Sequence, residues 1–203
     1  MKIICIGRNY ADHARELNNP VPEKPVFFLK PDTSLVLNNR PFFYPDFSSN
    51  IHHEVEIVIR INRLGRNIDQ RFAHRYYDEI TAGIDFTARD LQDRCKEKGL
   101  PWEISKAFDN SAPLGRFVKK SETGDPGNIP IRLDINGKTV QEGSSSQMIF
   151  SFDHIISYIS QFITLKIGDL IFTGTPAGVG PVSVGDRLQA WLNDEMLLDF
   201  YVK

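Results

Sequence analysis

The sequence predicts an α+β domain that is mostly β, with a few helices at its periphery. Its second half alternates short apolar runs with Asn-Gly or Gly-Asp turns, as in residues 133–140, 168–174 and 185–192. Such turns between apolar runs are typical of hairpins. In the first half, residues 51–61 alternate apolar and polar side chains, which indicates a strand. Helical periodicity is confined to short stretches.

Each element can be assigned in chain order from its pattern and its boundary residues. Asn9 can cap a short helix, and Ser151 can cap an amphipathic one, because both side chains accept hydrogen bonds from helix N–H groups. Asn136-Gly137 suits a type I′ turn. We see no linker and expect one domain over residues 1–203. The predicted strands are 2–6, 26–30 (buried), 51–61, 81–86 (a strand end), the 133–140 hairpin, two stacked hairpins at 168–174 and 185–192, and a closing strand at 196–202; the predicted helices are 10–17, 68–77, 87–98 and 151–163.

Composition excludes several partners. The chain has 203 residues, a net charge of −2 and 41% apolar residues, which indicates neither nucleic acid nor an anionic membrane as a partner. No apolar run approaches the roughly 20 residues that span a bilayer. The N-terminus is predicted to be a first strand and not a signal peptide. Cys5 and Cys95 form no CxxC pair, so we expect a reducing, cytoplasmic location.

The segment at residues 51–61 carries two carboxylates on one side of a predicted strand. Because side chains repeat every two residues, Glu54 and Glu56 point the same way, roughly 7 Å apart at their Cα atoms. Two such anions repel unless a cation lies between them. Oxygen ligands suit Mg²⁺, Mn²⁺ or Ca²⁺. The alternative is an exposed strand face with two solvated glutamates.

Further side chains could complete such a site. His13 and Glu16 lie three residues apart on one face of the short helix, where a carboxylate can orient an imidazole as a general base. Asp85 at a strand end could be a third ligand, and Lys106 could stabilise an anion. The alternatives are a surface pair for His13 and Glu16, a helix cap for Asp85 and a solvated side chain for Lys106. The Gly-rich segment 173–181 lacks the P-loop pattern, but its N–H groups could bind a carboxylate.

Taken in order, these segments resemble the fumarylacetoacetate hydrolase family. The resemblance covers nearly the whole chain and is closest to the short, single-domain acylpyruvase branch, without an extra N-terminal domain or a mitochondrial presequence. The segments that carry it are GRNYADHARE, PVFFLKP, HHEVE, GIDFTARDLQ, KGLPWEISKAFD, NGKTVQEGSSSQMIF and GDLIFTGTPAGVGP.

The resemblance implies a mixed β-sandwich roll around a metal, usually as a homodimer. It implies metal ligation by Glu54, Glu56 and Asp85, commonly of Mg²⁺ or Mn²⁺, with Ca²⁺ as a substitute. His13 and Glu16 match the dyad that activates water. The remaining matches are Lys106 beside the substrate and three residues that line the pocket, Arg89, Gln92 and Thr175.

The implied reaction is hydrolysis of an acylpyruvate, a 2,4-dioxo acid such as fumarylpyruvate or acetylpyruvate, to pyruvate and a carboxylic acid. The same site could serve oxaloacetate decarboxylation, or enol–keto tautomerisation or isomerisation of a dienedioate. A non-catalytic module that binds carboxylates through a metal is a further alternative. Selectivity for the acyl group would lie with residues such as Tyr10, Arg15 or those around 144–148. The short helix and the Asn/Pro-rich segment after it suggest a lid over residues 9–22.

Overall fold

The computed structural model describes residues 1–16 and 20–203. Its strands are β1 (Ile3–Gly7), β2 (Val26–Lys30), β3 (Leu35–Val36), β4 (Ile51–His53), β5 (Val55–Ile61), β6 (Tyr77–Ile84), β7 (Thr87–Ala88), β8 (Ala112–Pro113), β9 (Val118–Lys119), β10 (Pro130–Ile135), β11 (Lys138–Ser144), β12 (Leu170–Phe172), β13 (Gly180–Pro181), β14 (Arg187–Leu192) and β15 (Glu195–Tyr201). Its helices are α1 (Ala11–Glu16), α2 (Gln70–Ala73), α3 (Arg89–Lys98), α4 (Glu103–Lys106) and α5 (Phe152–Phe162). The mostly β, α+β prediction is confirmed.

Two larger sheets form the body of the molecule. A six-stranded sheet has the order β2-β1-β12-β5-β6-β9, and a four-stranded sheet has the order β11-β10-β14-β15. Apolar side chains from both sheets share one core cluster, with Ile57 and Ile59 from the first sheet and Leu188 and Phe200 from the second. Packing of two sheets through one apolar layer is the sandwich arrangement. The smaller sheets are β13-β4-β7 and β3-β8.

Strand β5 is buried on both of its faces. Its odd-numbered side chains, including Ile57 and Ile59, enter the main core, while Val58 packs into a second cluster with Cys5 and Phe172. The strand lies between β12 and β6 in the middle of the larger sheet. The carboxylates on and beside β5 are therefore held by a well-packed scaffold.

The predicted hairpin and the capped helix are both present. Asn136 and Gly137 have φ values of 53° and 77°, as a type I′ turn requires. The turn joins β10 to β11 in an antiparallel pair. Ser151 caps α5 by accepting a hydrogen bond from the backbone N–H of His154.

Two of the helix predictions were too long. Only Gln70–Ala73 is helical within residues 68–77, because Tyr77 already pairs with Ile61 in the sheet. The helix predicted from residue 87 begins at Arg89, since Thr87 belongs to β7 and pairs there with His52 of β4. Long-range strand pairing overrides helical periodicity at both places.

Two predictions about the burial and the pairing of strands were also wrong. Strand β2 is not buried: it forms the edge of its sheet, and Leu29 is 42% exposed. The segments 168–174 and 185–192 are not stacked hairpins. Strand β12 inserts between β1 and β5 in one sheet, and β14 lies between β10 and β15 in the other.

Within the described residues, helix α1 covers Ala11–Glu16. Residue 17 of the predicted helix lies outside the described residues, as do residues 18 and 19 of the predicted lid, so the lid stays a prediction. Over the described ranges, no helix is long and apolar enough to cross a membrane.

Candidate active site

Three buried carboxylates meet where β5 begins and β6 ends in the larger sheet. One oxygen from each of Glu54, Glu56 and Asp85 lies within 4.8 Å of the others. Residue 54 sits at the break between β4 and β5, Glu56 lies on β5, and Asp85 follows β6. Antiparallel pairing of β5 with β6 sets Val55 opposite Ile84 and so brings the three together. All three are at most 5% exposed, which rules out the alternative of solvated glutamates.

Buried cations surround these carboxylates. The Lys106 Nζ atom lies 2.8 Å from Glu54 Oε2 and 2.7 Å from Asp85 Oδ2. Arg89 Nη2 lies 2.6 Å from Glu54 Oε1. The Nζ atom of Lys30, a residue that the sequence did not single out, lies 2.7 Å from Asp85 Oδ1. Two of the three carboxylates are therefore neutralised by side chains.

Glu56 is different because no side-chain cation lies within 4.0 Å of it in the described parts of the chain. Its Oε2 atom accepts a hydrogen bond from the Gly174 N–H at 2.6 Å. Burial and the neighbouring Asp85 raise the pKa of Glu56 well above its ordinary range. Burial would also raise the pKa of Glu54, but Lys106 and Arg89 outweigh it and hold that pKa below its usual value.

This donor set fits a hard divalent cation. Each carboxylate offers one oxygen to a common position, and oxygen ligands are those that Mg²⁺, Mn²⁺ and Ca²⁺ prefer. The buried Glu56, which lacks a counter-cation, supplies the physical reason for one, since an unpaired buried carboxylate is costly. The triad can therefore hold a divalent metal.

The imidazole of His13 opens onto the same pocket as the carboxylates. Its Nδ1 atom lies 3.2 Å from Glu16 Oε2, one turn along α1. The Gly178 N–H donates to Glu16 Oε1 at 3.0 Å and fixes that carboxylate in turn. A buried imidazole oriented by a fixed carboxylate has the geometry of a general base.

Asn9, predicted to cap α1, anchors the start of this helix in another way. Its amide donates to the carbonyl oxygens of Phe150 and Thr173, at 3.0 and 2.7 Å, and accepts from the Phe150 N–H at 2.8 Å. The side chain is fully buried. Three hydrogen bonds thus tie Asn9, two residues before α1, to two distant segments.

Two backbone N–H groups of the Gly-rich segment 173–181 donate hydrogen bonds to carboxylates of the protein itself. Its Gly174 and Gly178 N–H groups bind Glu56 and Glu16. The segment is held by Gln141, whose Nε2 donates to Thr175 Oγ1 at 2.8 Å and to the Pro176 carbonyl at 2.9 Å.

His53 supports Gln141 from the other side. The Oε1 atom of Gln141 lies 2.8 Å from His53 Nδ1 and accepts from the Val55 N–H at 3.0 Å. Burial lowers the pKa of His53, which favours the neutral ring. Sequence reasoning missed Gln141 and His53; the only signals were a Gln within a strand and a second His beside Glu54.

The predicted pocket residues line one cavity with the triad and His13. They are Lys106, Arg89, Gln92 and Thr175, and the cavity also includes Arg8, Phe28, Lys96 and Trp102. The residues suggested for selectivity are not among those that line this cavity in the described parts of the chain. Arg15 pairs with Asp12 on the exposed side of α1, 2.6 Å apart, and Tyr10 is buried beside Met148.

Residues from both halves of the chain line the pocket. The protein is an enzyme, as are the relatives that it matches. The chain belongs to the fumarylacetoacetate hydrolase family, since the family model described as Fumarylacetoacetate (FAA) hydrolase C-terminal matches residues 2–200.

Relatives of known structure or name extend over nearly the whole chain. The mitochondrial oxaloacetate tautomerase FAHD1 of Bos taurus is 44% identical over 201 residues, covering 99% of this chain and 91% of that protein. The mitochondrial oxaloacetate decarboxylase of Dictyostelium discoideum is 43% identical over 206 residues, covering 100% and 94%. The fumarylpyruvate hydrolase of Pseudomonas aeruginosa, crystallised with Mn²⁺ and pyruvate, superposes with a TM-score of 0.94 at 40% identity, covering 100% of this chain and 89% of that one.

Proposed function

We propose that this enzyme hydrolyses the C–C bond of acylpyruvates such as fumarylpyruvate or acetylpyruvate, giving pyruvate and a carboxylic acid. The observation that carries the proposal is the His13–Glu16 pair, which lines the same pocket as Glu54, Glu56 and Asp85. Hydrolysis needs a base that activates water beside a site that stabilises an enolate. The similarity to the P. aeruginosa fumarylpyruvate hydrolase supports the same substrate class.

The proposal includes Mg²⁺ as the resident metal, held by Glu54, Glu56 and Asp85, with Mn²⁺ or Ca²⁺ as substitutes. Bound there, the cation would polarise the substrate oxygens and neutralise negative charge as it develops. The Mn²⁺ complex of the P. aeruginosa enzyme supports a divalent cation in this family.

His13 has the role of general base in this scheme. An Nδ1–H that donates to Glu16 leaves Nε2 as the atom able to take a proton from water. Because the Gly178 N–H holds Glu16, that carboxylate favours the Nδ1–H tautomer and this ring orientation before substrate arrives. The proton is then available to the carbon of the departing enolate.

The cationic and polar side chains would bind and orient the substrate. Lys106 is buried, and although burial alone would lower its pKa, Asp85 and Glu54 raise that pKa above its ordinary value. It therefore remains a cation that can stabilise an enolate oxygen. We assign orientation of the 2-oxo acid end to Arg89, Gln92 and Thr175, which line the pocket beside it.

Oxaloacetate is the second candidate substrate, either for decarboxylation or for enol–keto tautomerisation. The observation that favours it is the 43–44% identity to oxaloacetate-acting relatives along more than nine tenths of their length. Decarboxylation needs no attacking water, so it gives no role to His13 as a base. Tautomerisation does need a base, and His13 could serve.

The test follows the ultraviolet absorbance of acetylpyruvate and fumarylpyruvate with Mg²⁺ and with EDTA, and measures pyruvate formed from oxaloacetate in parallel. Metal-dependent hydrolysis much faster than oxaloacetate loss is the expected result. The variant His13→Ala should lose hydrolysis while its calorimetric affinity for Mg²⁺ stays within about twofold. His74→Ala is the control, because His74 is exposed and lies outside the pocket.

Unchanged acylpyruvate turnover in His13→Ala would overturn the assignment of the base. Pyruvate from oxaloacetate alone would make the enzyme a decarboxylase, and oxaloacetate enol–keto exchange without pyruvate would make it a tautomerase. Metal-dependent carboxylate binding without any turnover would favour a binding module.

The assembly and location remain part of the proposal. We propose that residues 1–203 form one catalytic domain that acts as a homodimer in the cytoplasm. Sedimentation equilibrium at micromolar concentration should give twice the chain mass; the mass of a single chain would contradict the dimer.

A further inference from the structure

Two cationic side chains line the pocket without any assigned role. They are Arg8, directly after β1, and Lys96, on α3. Lys96 follows Arg89 and Gln92 at a spacing of seven and four residues, which puts all three on one face of the helix. Arg89 and Gln92 are buried, whereas Lys96 is exposed and Arg8 is half-buried. The two unassigned cations therefore mark the outer part of the pocket.

The inner cations of the pocket are already engaged. Arg89 binds Glu54 and donates to Gln92 Oε1 at 2.6 Å, and Lys106 bridges Glu54 and Asp85. By contrast, within residues 1–16 and 20–203 no carboxylate oxygen lies within 4.0 Å of the Arg8 or Lys96 nitrogens. Their charges are available to a ligand.

The charge around Lys96 is positive on balance. Although the Lys96 side chain is exposed, its partial desolvation at the pocket lowers its pKa, and Arg89 and Arg8 lower it further, whereas Asp93 and Glu54 act in the opposite direction. Four cationic side chains and three carboxylates line the pocket. A divalent cation on the triad would add to this positive excess, which favours a ligand with more than one negative charge.

The backbone holds Arg8 in an unusual conformation. Its φ is 61°, in the left-handed region that a residue with a side chain adopts rarely. The following residue, Asn9, is fixed by three hydrogen bonds to Phe150 and Thr173. The surrounding structure therefore enforces this conformation, as is common at ligand sites.

We propose that Arg8 and Lys96 form a subsite for a second, distal carboxylate, so that the preferred substrates are dianionic oxo acids. The inference rests on the proposed function, because it assumes that the 2-oxo acid end lies deeper, at Arg89, Gln92 and Thr175. The distal carboxylate of the substrate then lies at the outer cations. A neutral acyl chain leaves both charges without a partner.

The test compares fumarylpyruvate, which carries a distal carboxylate, with acetylpyruvate, which does not. Lys96→Met and Arg8→Asn remove the charges; Asn tolerates the left-handed backbone. Each should reduce the ratio of kcat/KM for fumarylpyruvate over acetylpyruvate on the order of tenfold, mostly through KM, since charge-assisted hydrogen bonds are lost. Lys98→Met, on the same helix and outside the pocket, is the control and should leave the ratio unchanged.

Rescue separates recognition from structural damage. Lys96→Arg retains the charge and should recover most of the ratio. If Lys96→Met acted only by perturbing α3, restoring a cation at this position would not recover the ratio. An unchanged ratio in both Lys96→Met and Arg8→Asn would overturn the subsite.

A binding measurement keeps the subsite testable if hydrolysis itself is not found. With Mg²⁺ present, calorimetry compares 2-oxoglutarate with 2-oxopentanoate, which has the same chain length and no second carboxylate. The expected result is roughly tenfold tighter binding of 2-oxoglutarate, lost in Lys96→Met. Equal dissociation constants in the unsubstituted enzyme would overturn the subsite, whatever the reaction proves to be.

Discussion

Replacing Lys30 with methionine tests whether this buried lysine stabilises the carboxylate site. Its side chain is fully buried, and Nζ lies 2.7 Å from Asp85 Oδ1. The same nitrogen donates to Ser111 Oγ at 2.8 Å and to the Ser111 and Phe86 carbonyls at 3.2 and 3.3 Å, and also to the carbonyl of Lys106. Methionine fills a similar volume without any of these interactions.

The expected loss of stability follows from the charge that remains. Asp85 is 1% exposed and would keep only Lys106 as a side-chain cation. Breaking a buried ion pair from one side costs about 3–5 kcal/mol because the other charge stays buried. A chain of this length shifts its melting temperature by about 2–4 °C per kcal/mol. Lys30→Met should therefore lower the melting temperature by roughly 6–20 °C.

The assay is urea unfolding at pH 7 in EDTA, with thermal melts alongside. Lys119→Met is the matched control, because Lys119 pairs with Glu79 at 3.4 Å on the surface and its side chain is 57% exposed; such pairs contribute less than about 1 kcal/mol. The double variant Lys30→Met/Asp85→Asn should recover part of the loss, because Asp85 then no longer carries a buried charge that Lys106 alone must balance. A loss below about 1 kcal/mol for Lys30→Met would refute the reasoning.

Two further predictions concern the residues around the site. Lys106→Met leaves Glu54 with Arg89 alone, so the rise in melting temperature on adding Mg²⁺ should exceed that of the unsubstituted enzyme; an equal or smaller rise in a calorimetric melt would contradict this. Gln141→Leu leaves the buried Val55 N–H without its partner and releases Thr175; urea unfolding should show a loss of about 2–4 kcal/mol, and a loss below about 1 kcal/mol would argue against it.

Much of the candidate site could be predicted from local patterns in the sequence. Alternation along residues 51–61 indicated that Glu54 and Glu56 share one side, and their proximity to each other and to Asp85 is found in the structure. Spacing on one helical turn likewise indicated the contact between His13 and Glu16. Both inferences need only the geometry of a single element.

What the sequence could not supply depends on long-range pairing. Lys30 ends an apolar strand and looks like any solvated lysine, yet in the folded chain, where β2 pairs with β1, its Nζ atom contacts Asp85, 55 residues later in the chain. The Gly-Asp turns at residues 168–169 and 185–186 look alike in sequence, but the strands that follow them, β12 and β14, lie in different sheets. Partners so distant in sequence are chosen by the packing of the whole sheet and not by local pattern.

The Gly-rich segment 173–181 contacts both the proposed metal site and the residue that orients the proposed base. Gly174 N–H holds Glu56, a proposed metal ligand, and Gly178 N–H holds Glu16, which orients the proposed base. Only glycine suits the first position, because φ is 102° and an added Cβ would lie 2.6 Å from Asn9 Cβ. Since Asn9 also precedes α1, one backbone segment sets the metal ligand and the base relative to each other. The position of His13 therefore depends on this segment as much as on its own short helix, which is too short to be stable alone.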